Sequence, residues 1–212
     1  ITCRDWSSDV CSSDLAASCA GPYVRREPAR DEELHRGELV EAARGLNGSK
    51  DLTSLNRHFR NDCSGFVIGL YRMLGYQVKI PLGRGNRPLS ERLFLAMQDR
   101  GHTYREYQPL PGDVVFFKNT TQTSYDRVTH IGLVEEVASD GTVSIIHYGS
   151  GSVNRIRMNL NQPYREKDGR GRVINSYLRR NDAGRGKGNI LAGALFWSYG
   201  DLYGYAVSER TR

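Results

Sequence analysis

The chain has 212 residues, a length that suits one domain with a substantial hydrophobic core. Its formal net charge is +6, and the excess is concentrated from residue 150 onward, where 12 Lys and Arg residues outnumber 5 Asp and Glu residues. No stretch approaches the ~18 uninterrupted apolar residues of a membrane-spanning helix, so none is predicted. The basic C-terminal part is typical of an anionic partner, which could be nucleic acid, a lipid surface or a cell-wall polymer, or of a solvated surface.

The four cysteines do not have the even spacing of a disulfide framework. Cys3, Cys11 and Cys19 lie in the first 19 residues, where no core can form, and Cys63 is the single thiol of the predicted globular part. No spacing of Cys and His resembles a zinc site. We therefore expect neither a metal nor another cofactor.

The first 33 residues are predicted to lie outside the folded domain. Residues 5–14, DWSSDVCSSD, are similar to what one reading frame of a common sequencing-library adapter encodes, so residues 1–15 are predicted to be a disordered artefact rather than a natural polar leader. Small residues ahead of Cys19 resemble the end of a bacterial lipoprotein signal, which implies lipidation at Cys19. Residues 16–33 are rich in Pro, Arg, Glu and Ser and are predicted to be a disordered leader or linker. The folded domain is then expected to span residues 34–208.

Three helices are predicted before the first strand. The first lies in the segment DEELHRGELVEAARGLNG, whose apolar residues from Leu34 onward have helical spacing, and it ends at Gly45 or Gly48. The second starts at Cys63, directly after Asp62, which occupies the N-cap position. Its apolar residues lie on one face of a helix that is predicted to end at Gly75. They are Phe66, Val67, Leu70, Tyr71 and Leu74. The third spans residues 89–101, with Ser90 as its cap.

The apolar period then changes from that of helices to that of strands. The segments GDVVFFKN, THIGLVEEVAS and TVSIIHYG predict three strands, the last two joined by a turn at SDG. Val153, Ile156 and Met158 could continue the sheet, and residues 163–189 are predicted to form a Gly- and Arg-rich loop. The apolar segment ILAGALFWSYG is predicted to return to the core. Helices followed by strands predict an α+β fold, with N-terminal helices packed on an antiparallel sheet.

Cys63 is the first candidate for chemistry. At a helix N-terminus, unpaired N–H groups and the helix dipole favour an anion, so we expect a lowered thiol pKa and partial thiolate near neutral pH. The alternative is a small buried apolar residue, because free cysteines are among the most buried residues.

Thiolate catalysis also needs a group that takes and returns a proton, and histidine does both near neutral pH. His130 opens one predicted strand and His147 ends the next, so a hairpin across SDG would make them neighbours. The remaining histidines are predicted to lie on the surface, and they are His35, His58 and His102. Cys63, His130 and His147 would then form a nucleophile, a base and a residue that orients the base.

Four motifs occur in order over about 90 residues: DCSGFV, LPGDVVFF, THIGLV and IIHYG. Together they resemble the NlpC/P60 family of papain-like cysteine peptidases, which are bacterial cell-wall hydrolases. The resemblance implies a papain-like fold, with Cys63 as nucleophile, His130 as general base and acid, and His147 as the residue that orients His130. It also implies hydrolysis of amide bonds in peptidoglycan stem peptides. The related CHAP amidases share the order Cys, His and a third polar residue, so the motifs alone do not separate the two families.

Backbone N–H groups at the start of the second helix are expected to form the oxyanion hole, from Cys63 and Ser64. Asp62 is expected to act as an N-cap, and Asp113 is expected to shape the Pro-Gly-Asp turn. One departure from the family is the absence of a tyrosine in TSLNRHFRN, just before the cysteine, which leaves the substrate subsite unassigned.

Two other functions remain open at this point. One is a non-catalytic cell-wall-binding domain, and the other is a papain-like thiol acyltransferase or lipid-directed hydrolase. For the leading hypothesis we expect a peptidoglycan peptide as substrate, an anionic wall polymer at the basic C-terminal part, and no nucleic acid. The expected location is the cell envelope or the exterior, with membrane contact only through lipidation at Cys19.

Overall fold

Helices come first along the chain and an antiparallel sheet follows, in a computed structural model that describes residues 28–82, 86–121, 126–179 and 190–208. The predicted α+β class is therefore confirmed. The predicted artefact and most of the predicted leader lie outside the described residues. The helices are α1 (Arg30–Gly45), α2 (Cys63–Met73), α3 (Leu89–Gln98), α4 (Ala192–Leu195) and α5 (Leu202–Ser208). The strands are β1 (Thr103–Tyr104), β2 (Val114–Lys118), β3 (Val128–Val137), β4 (Thr142–Gly149), β5 (Ser152–Asn159), β6 (Tyr177–Arg179), β7 (Ile190–Leu191) and β8 (Phe196–Gly200).

Six strands form one antiparallel sheet in the order β1-β8-β2-β3-β4-β5, and β6 pairs with β7 in a separate ribbon. The segment ILAGALFWSYG does return to the core, as predicted. It supplies β7, α4 and β8, and β8 lies between β1 and β2. A late part of the sequence therefore supplies an internal strand next to one edge of the sheet.

Both faces of the sheet are buried. On one face α2 packs against β3 and β4, and α3 packs against β3, around Phe66 and Phe116. On the other face Phe117 and Ile145 pack with Leu195 of α4. This explains why β2 is a continuous apolar run rather than an alternating one. Among the described helices, none has the length and apolar character needed to cross a bilayer.

Helix α2 begins where the sequence predicts. The Asp62 carboxylate accepts a hydrogen bond of 2.7 Å from the backbone N–H of Gly65, so Asp62 is an N-cap. The apolar face is fully buried, including Phe66, Leu70 and Tyr71.

The starts of α1 and α3 differ in detail from the predictions. α1 starts at Arg30, one residue before the predicted helical segment and four residues before the expected start of the folded domain. The reason is that charged residues, which suggest disorder in a sequence, here stabilise the first turn, where Glu32 bonds Arg36. In α3 the N-cap position is Pro88, without a side-chain bond, and Ser90 is buried inside the helix instead of capping it.

A buried arginine ties α1 to two distant parts of the chain. Arg36 is 4% exposed, and its guanidinium donates to Glu32 at 2.9 Å, Asp113 at 2.8 Å and Asp201 at 2.6 Å. Burial alone would lower the pKa of Arg36, but the carboxylates of Asp113 and Asp201 raise it above the ordinary value. The guanidinium therefore stays charged, and each of its three nitrogen atoms donates a hydrogen bond to a carboxylate.

Asp113 shapes the Pro-Gly-Asp turn, as predicted. It is completely buried, and one carboxylate oxygen accepts the Leu110 N–H at 2.8 Å and the Tyr104 hydroxyl. The other oxygen accepts from Arg36. Its charge is thus used to fix a turn against a helix, and no oxygen is left for proton transfer to a substrate.

We expect Arg36→Ala to lower the free energy of unfolding by about 3–5 kcal/mol, because removing one partner leaves buried carboxylates without a counter-charge. Urea unfolding followed by circular dichroism measures the loss. The matched control is Arg72→Ala in α2, an exposed arginine, which should change stability by no more than about 0.5 kcal/mol. Equal, small losses in both variants would contradict a structural role for this network.

Candidate active site

The three predicted catalytic side chains lie around one cavity of ≈ 770 Å³. Cys63 is the first residue of α2, His130 lies near the start of β3, and His147 lies near the end of β4. Because β3 and β4 are antiparallel, the start of one lies beside the end of the other. The packing of α2 on these strands then brings the thiol to the same place.

The other three histidines do not line this cavity. They are predicted surface residues but are only partly exposed, and they are His35, His58 and His102. His35 contacts Glu38 on its own helix at 3.3 Å.

A directed chain of hydrogen bonds runs through the two cavity histidines. His130 Nε2 lies 2.6 Å from His147 Nδ1, and His147 Nε2 lies 2.9 Å from the Oδ1 atom of Asn154. The amide nitrogen of Asn154 donates to the carbonyls of Gly149 at 2.8 Å and Ser152 at 3.0 Å. These two acceptors fix the amide orientation, so Oδ1 must face His147 and must accept.

The direction of the remaining bonds follows from that acceptor. His147 carries its proton on Nε2, so its Nδ1 is bare and accepts the proton of His130 Nε2. His130 Nδ1 is then left without a proton. Asn154 therefore sets the tautomer of His130 through His147.

Asn154 is the functional residue that the sequence reasoning missed. The prediction continued the sheet through Val153 and Ile156 without assigning a register between β4 and β5. The structure pairs His147 with Asn154 across a two-residue turn at Ser150 and Gly151, which have φ values of 54° and 80°. A Ser-Gly turn of this kind between two strands is the signal that could have placed Asn154.

Glycines leave room for the imidazole of His147. A Cβ at Gly149 would lie 2.5 Å from a ring carbon of His147, and one at Gly132 would lie 3.3 Å from the Cβ of His147. No side chain at Gly149 could be accommodated without moving the ring. The glycine in IIHYG is therefore explained by the space that the ring needs.

Both histidines are neutral at physiological pH. Burial lowers the pKa of His147 to about 4, and the hydrogen bond that His147 donates to Asn154 opposes the shift only in part. Burial also lowers the pKa of His130 well below its usual range, and the neighbouring His147 adds to this effect. Neutral imidazoles agree with the tautomer chain, in which each ring holds one proton.

The expected low pKa of Cys63 is not found. Burial raises the pKa of the thiol, because the thiolate would lose its hydration. The backbone N–H of Ile131 opposes this shift, the Asp62 carboxylate adds to it, and the Ser64 side chain and N–H oppose it weakly. Burial therefore outweighs these hydrogen bonds, and the raised pKa favours the protonated thiol in the free protein.

Four residues from later in the chain also line the cavity. They belong to β6 and the residue before it, and they are Ser176, Tyr177, Leu178 and Arg179. Tyr148 also lines the cavity, so two tyrosines are present although none precedes the cysteine. Within the described residues, no group of three or more His, Cys, Asp or Glu side chains could hold a metal ion.

The lowered histidine pKa values predict acid sensitivity. Between pH 6.5 and about 4 the unfolded chain protonates His147 while the folded protein does not, so stability is complete above pH 6.5 and falls as the pH drops. For His147 alone the loss should reach roughly 3 kcal/mol at the acid end.

Urea unfolding at several pH values measures this dependence. In His147→Gln, which does not titrate in this range, the slope between pH 6.5 and 4 should be smaller than in the unaltered protein. The same slope in both proteins would show that His147 is not the responsible group.

Residues 54–149 match the family model of the CHAP domain. No curated protein matches the chain. Among solved structures, the N-acetylmuramoyl-L-alanine amidase from Staphylococcus aureus is similar at 18% identity with a TM-score of 0.34, and the alignment covers 64% of this chain and 37% of that chain. The present chain thus spans well under half the length of that amidase.

The matched region includes Cys63, His130 and His147, but it ends before Asn154 and before β6. The CHAP domain is related to the NlpC/P60 family that the four motifs resemble, and residues 54–149 are the part of the chain that matches its model.

Proposed function

We propose that this protein is a cysteine hydrolase that cleaves amide bonds in peptidoglycan stem peptides. Cys63 acts as nucleophile, His130 as general base and acid, and His147 as the residue that orients His130. The observation that carries the proposal is the contact of 2.6 Å between His130 Nε2 and His147 Nδ1 at the wall of the cavity that also holds Cys63. The CHAP match over the same residues supports it.

The proposed first step is acylation of Cys63. His130 Nδ1 takes the thiol proton as the sulfur bonds to the scissile carbonyl carbon, whose oxygen becomes an oxyanion. The protonated His130 then gives this proton to the amide nitrogen, the C–N bond breaks, and the amine leaves. Because the thiol is protonated in the free protein, proton transfer accompanies attack instead of preceding it.

The second step is hydrolysis of the thioester. A water gives its proton to His130 Nδ1 and bonds to the carbonyl carbon, and the carbon–sulfur bond then breaks. The sulfur recovers the proton from His130, which returns both groups to their starting state.

The oxyanion is proposed to bind backbone N–H groups at the start of α2. The N–H of Gly65 is already used by the Asp62 cap, so Cys63 and Ser64 are the residues of the first turn that remain. Ser64 is 3% exposed and its N–H faces the sulfur, which places this donor next to the reacting atom.

The cell envelope or the exterior is the proposed location, since that is where the substrate occurs. Anchoring by lipidation at Cys19 and contact of the basic C-terminal part with an anionic wall polymer are further parts of the proposal. Cys19 lies outside the described residues.

Cys63→Ala and His130→Ala should each reduce hydrolysis of defined muropeptides by at least about 10⁴-fold, because each removes a reacting group. His147→Ala should cost less, since it alters the orientation and tautomer of His130 but does not touch substrate. Mass spectrometry of the digests identifies the cleaved bond. His58→Ala, a histidine outside the cavity, is the matched control and should retain activity.

Two outcomes would favour the other functions. Binding to peptidoglycan without any cleavage by the unaltered protein would indicate a wall-binding domain. Transfer of the acyl group from Cys63 to an added amine, with no release of free acid, would indicate an acyltransferase.

Asn154→Leu should lower kcat by about 10–100-fold with a smaller change in KM, because the tautomer of His147 is no longer fixed. Asn154→Asp keeps an oxygen acceptor and should retain more activity. Its carboxylate should also raise the pKa of His147 and His130, so the acid limb of the pH–kcat profile should move to higher pH.

The control for these variants is Asn161→Leu, an exposed asparagine in the loop after β5. It should leave both kcat and the pH profile unchanged. An unmoved acid limb in Asn154→Asp would contradict a tautomer-setting role and leave Asn154 as a structural residue of the hairpin.

A further inference from the structure

Three charged side chains line the cavity, and two of them form ion pairs with residues of opposite charge. Asp62 pairs with Arg60 at 2.6 Å. Arg155 is bound by both carboxylate oxygens of Glu135, at 2.7 and 2.9 Å. The third is Arg179, and no carboxylate of the described residues forms an ion pair with it. The described wall of the cavity thus carries one uncompensated positive charge.

Arg179 is also incompletely hydrogen-bonded. Its Nη1 atom donates to the carbonyl of Asn119 at 3.0 Å, but its buried Nε atom has no partner. The Nη2 atom also has no hydrogen bond to a described residue and, unlike Nε, is not buried, so it is open to a ligand. The buried Nε atom is out of reach, so a carboxylate in the cavity would meet the outer Nη1 and Nη2 atoms end-on, a two-point geometry that arginine also offers to carboxylates.

We infer that Arg179 is a substrate-binding residue that holds a free carboxylate of the peptide in the cavity of Cys63. This inference rests on the proposed function and deepens it, because it names the substrate class as an acidic peptide with a carboxylate close to the scissile amide. Stem peptides with a D-glutamate residue or a carboxylated diamino acid carry such a group. Arg179 lies outside the region that matches the CHAP domain, so this selectivity belongs to the C-terminal part of the chain.

The first test compares two synthetic stem peptides that differ only in one group. In one peptide the carboxylate beside the scissile amide is free, and in the other it is a carboxamide. The 212-residue chain should cleave the carboxylate peptide with a kcat/KM about tenfold or more above that of the amidated peptide. Arg179→Gln should remove this preference by lowering kcat/KM for the carboxylate peptide alone.

Two further variants separate charge from fold. Arg179→Lys keeps the charge but loses the two-point geometry, so it should keep part of the preference. Arg170→Gln is the matched control. Arg170 is an exposed arginine of the same C-terminal part and does not line the cavity, so this variant should keep the whole preference for the carboxylate peptide.

A second test does not depend on catalysis. Iodoacetate and iodoacetamide alkylate thiols with the same geometry but differ in charge. Cys63 should react with iodoacetate faster, relative to iodoacetamide, in the unaltered protein than in Arg179→Gln, by a factor of about 3–10. The modified Cys63 peptide is quantified by mass spectrometry, which separates it from the other cysteines.

The outcomes distinguish the inference from the proposed function. An unchanged peptide preference and an unchanged alkylation ratio in Arg179→Gln would overturn the role of Arg179, even if the protein cleaves both peptides. If the unaltered protein cleaves neither peptide, the proposed function fails, and the alkylation ratio still decides whether Arg179 attracts a carboxylate to Cys63.

Discussion

The buried guanidinium of Arg36 is the contact on which the geometry of the site depends. It holds Asp113, and the backbone of that turn bonds Val134 of β3 through the Gly112 N–H at 2.9 Å and the Asp113 carbonyl at 2.8 Å. The hydroxyl of Tyr71 in α2 donates to the Gly112 carbonyl at 3.1 Å. One turn therefore fixes both the strand that carries His130 and the helix that carries Cys63. A charged network far from the cavity thus sets the positions of the reacting groups.

The hydrogen-bond chain from Asn154 to His130 and the raised pKa of Cys63 support the same chemical picture. The histidines are neutral and the sulfur is protonated, so the resting site carries no thiolate–imidazolium ion pair. In the proposed reaction, charge develops only as the carbonyl is attacked. Donors that are already oriented stabilise such developing charge without reorganisation, which is the main advantage of a rigid, buried site.

Much of this arrangement could be predicted from the sequence, because it depends on local periodicity. The helical spacing after Asp62 located Cys63, and the hairpin logic placed His130 beside His147. Asn154 was missed because no strand register was assigned beyond Gly149. The prediction of a lowered pKa for the Cys63 thiol was wrong, because the sequence shows where the helix starts but not how far the sulfur is buried. The wall formed by β6 could not be predicted either, since its position depends on contacts between segments far apart in sequence.

The position of β8 has a consequence for how the chain folds. β2 lies between β3 and β8, so one of its edges stays open until residues 196–200 are in place. During synthesis the nascent chain would carry the reacting residues long before that edge is covered, with Phe117 and Ile145 also lacking the partners that α4 supplies. Exposed apolar strands with free edges associate readily. A piece cut at residue 149, the end of the CHAP match, would keep the reacting side chains but would be an aggregation-prone fragment rather than a minimal enzyme.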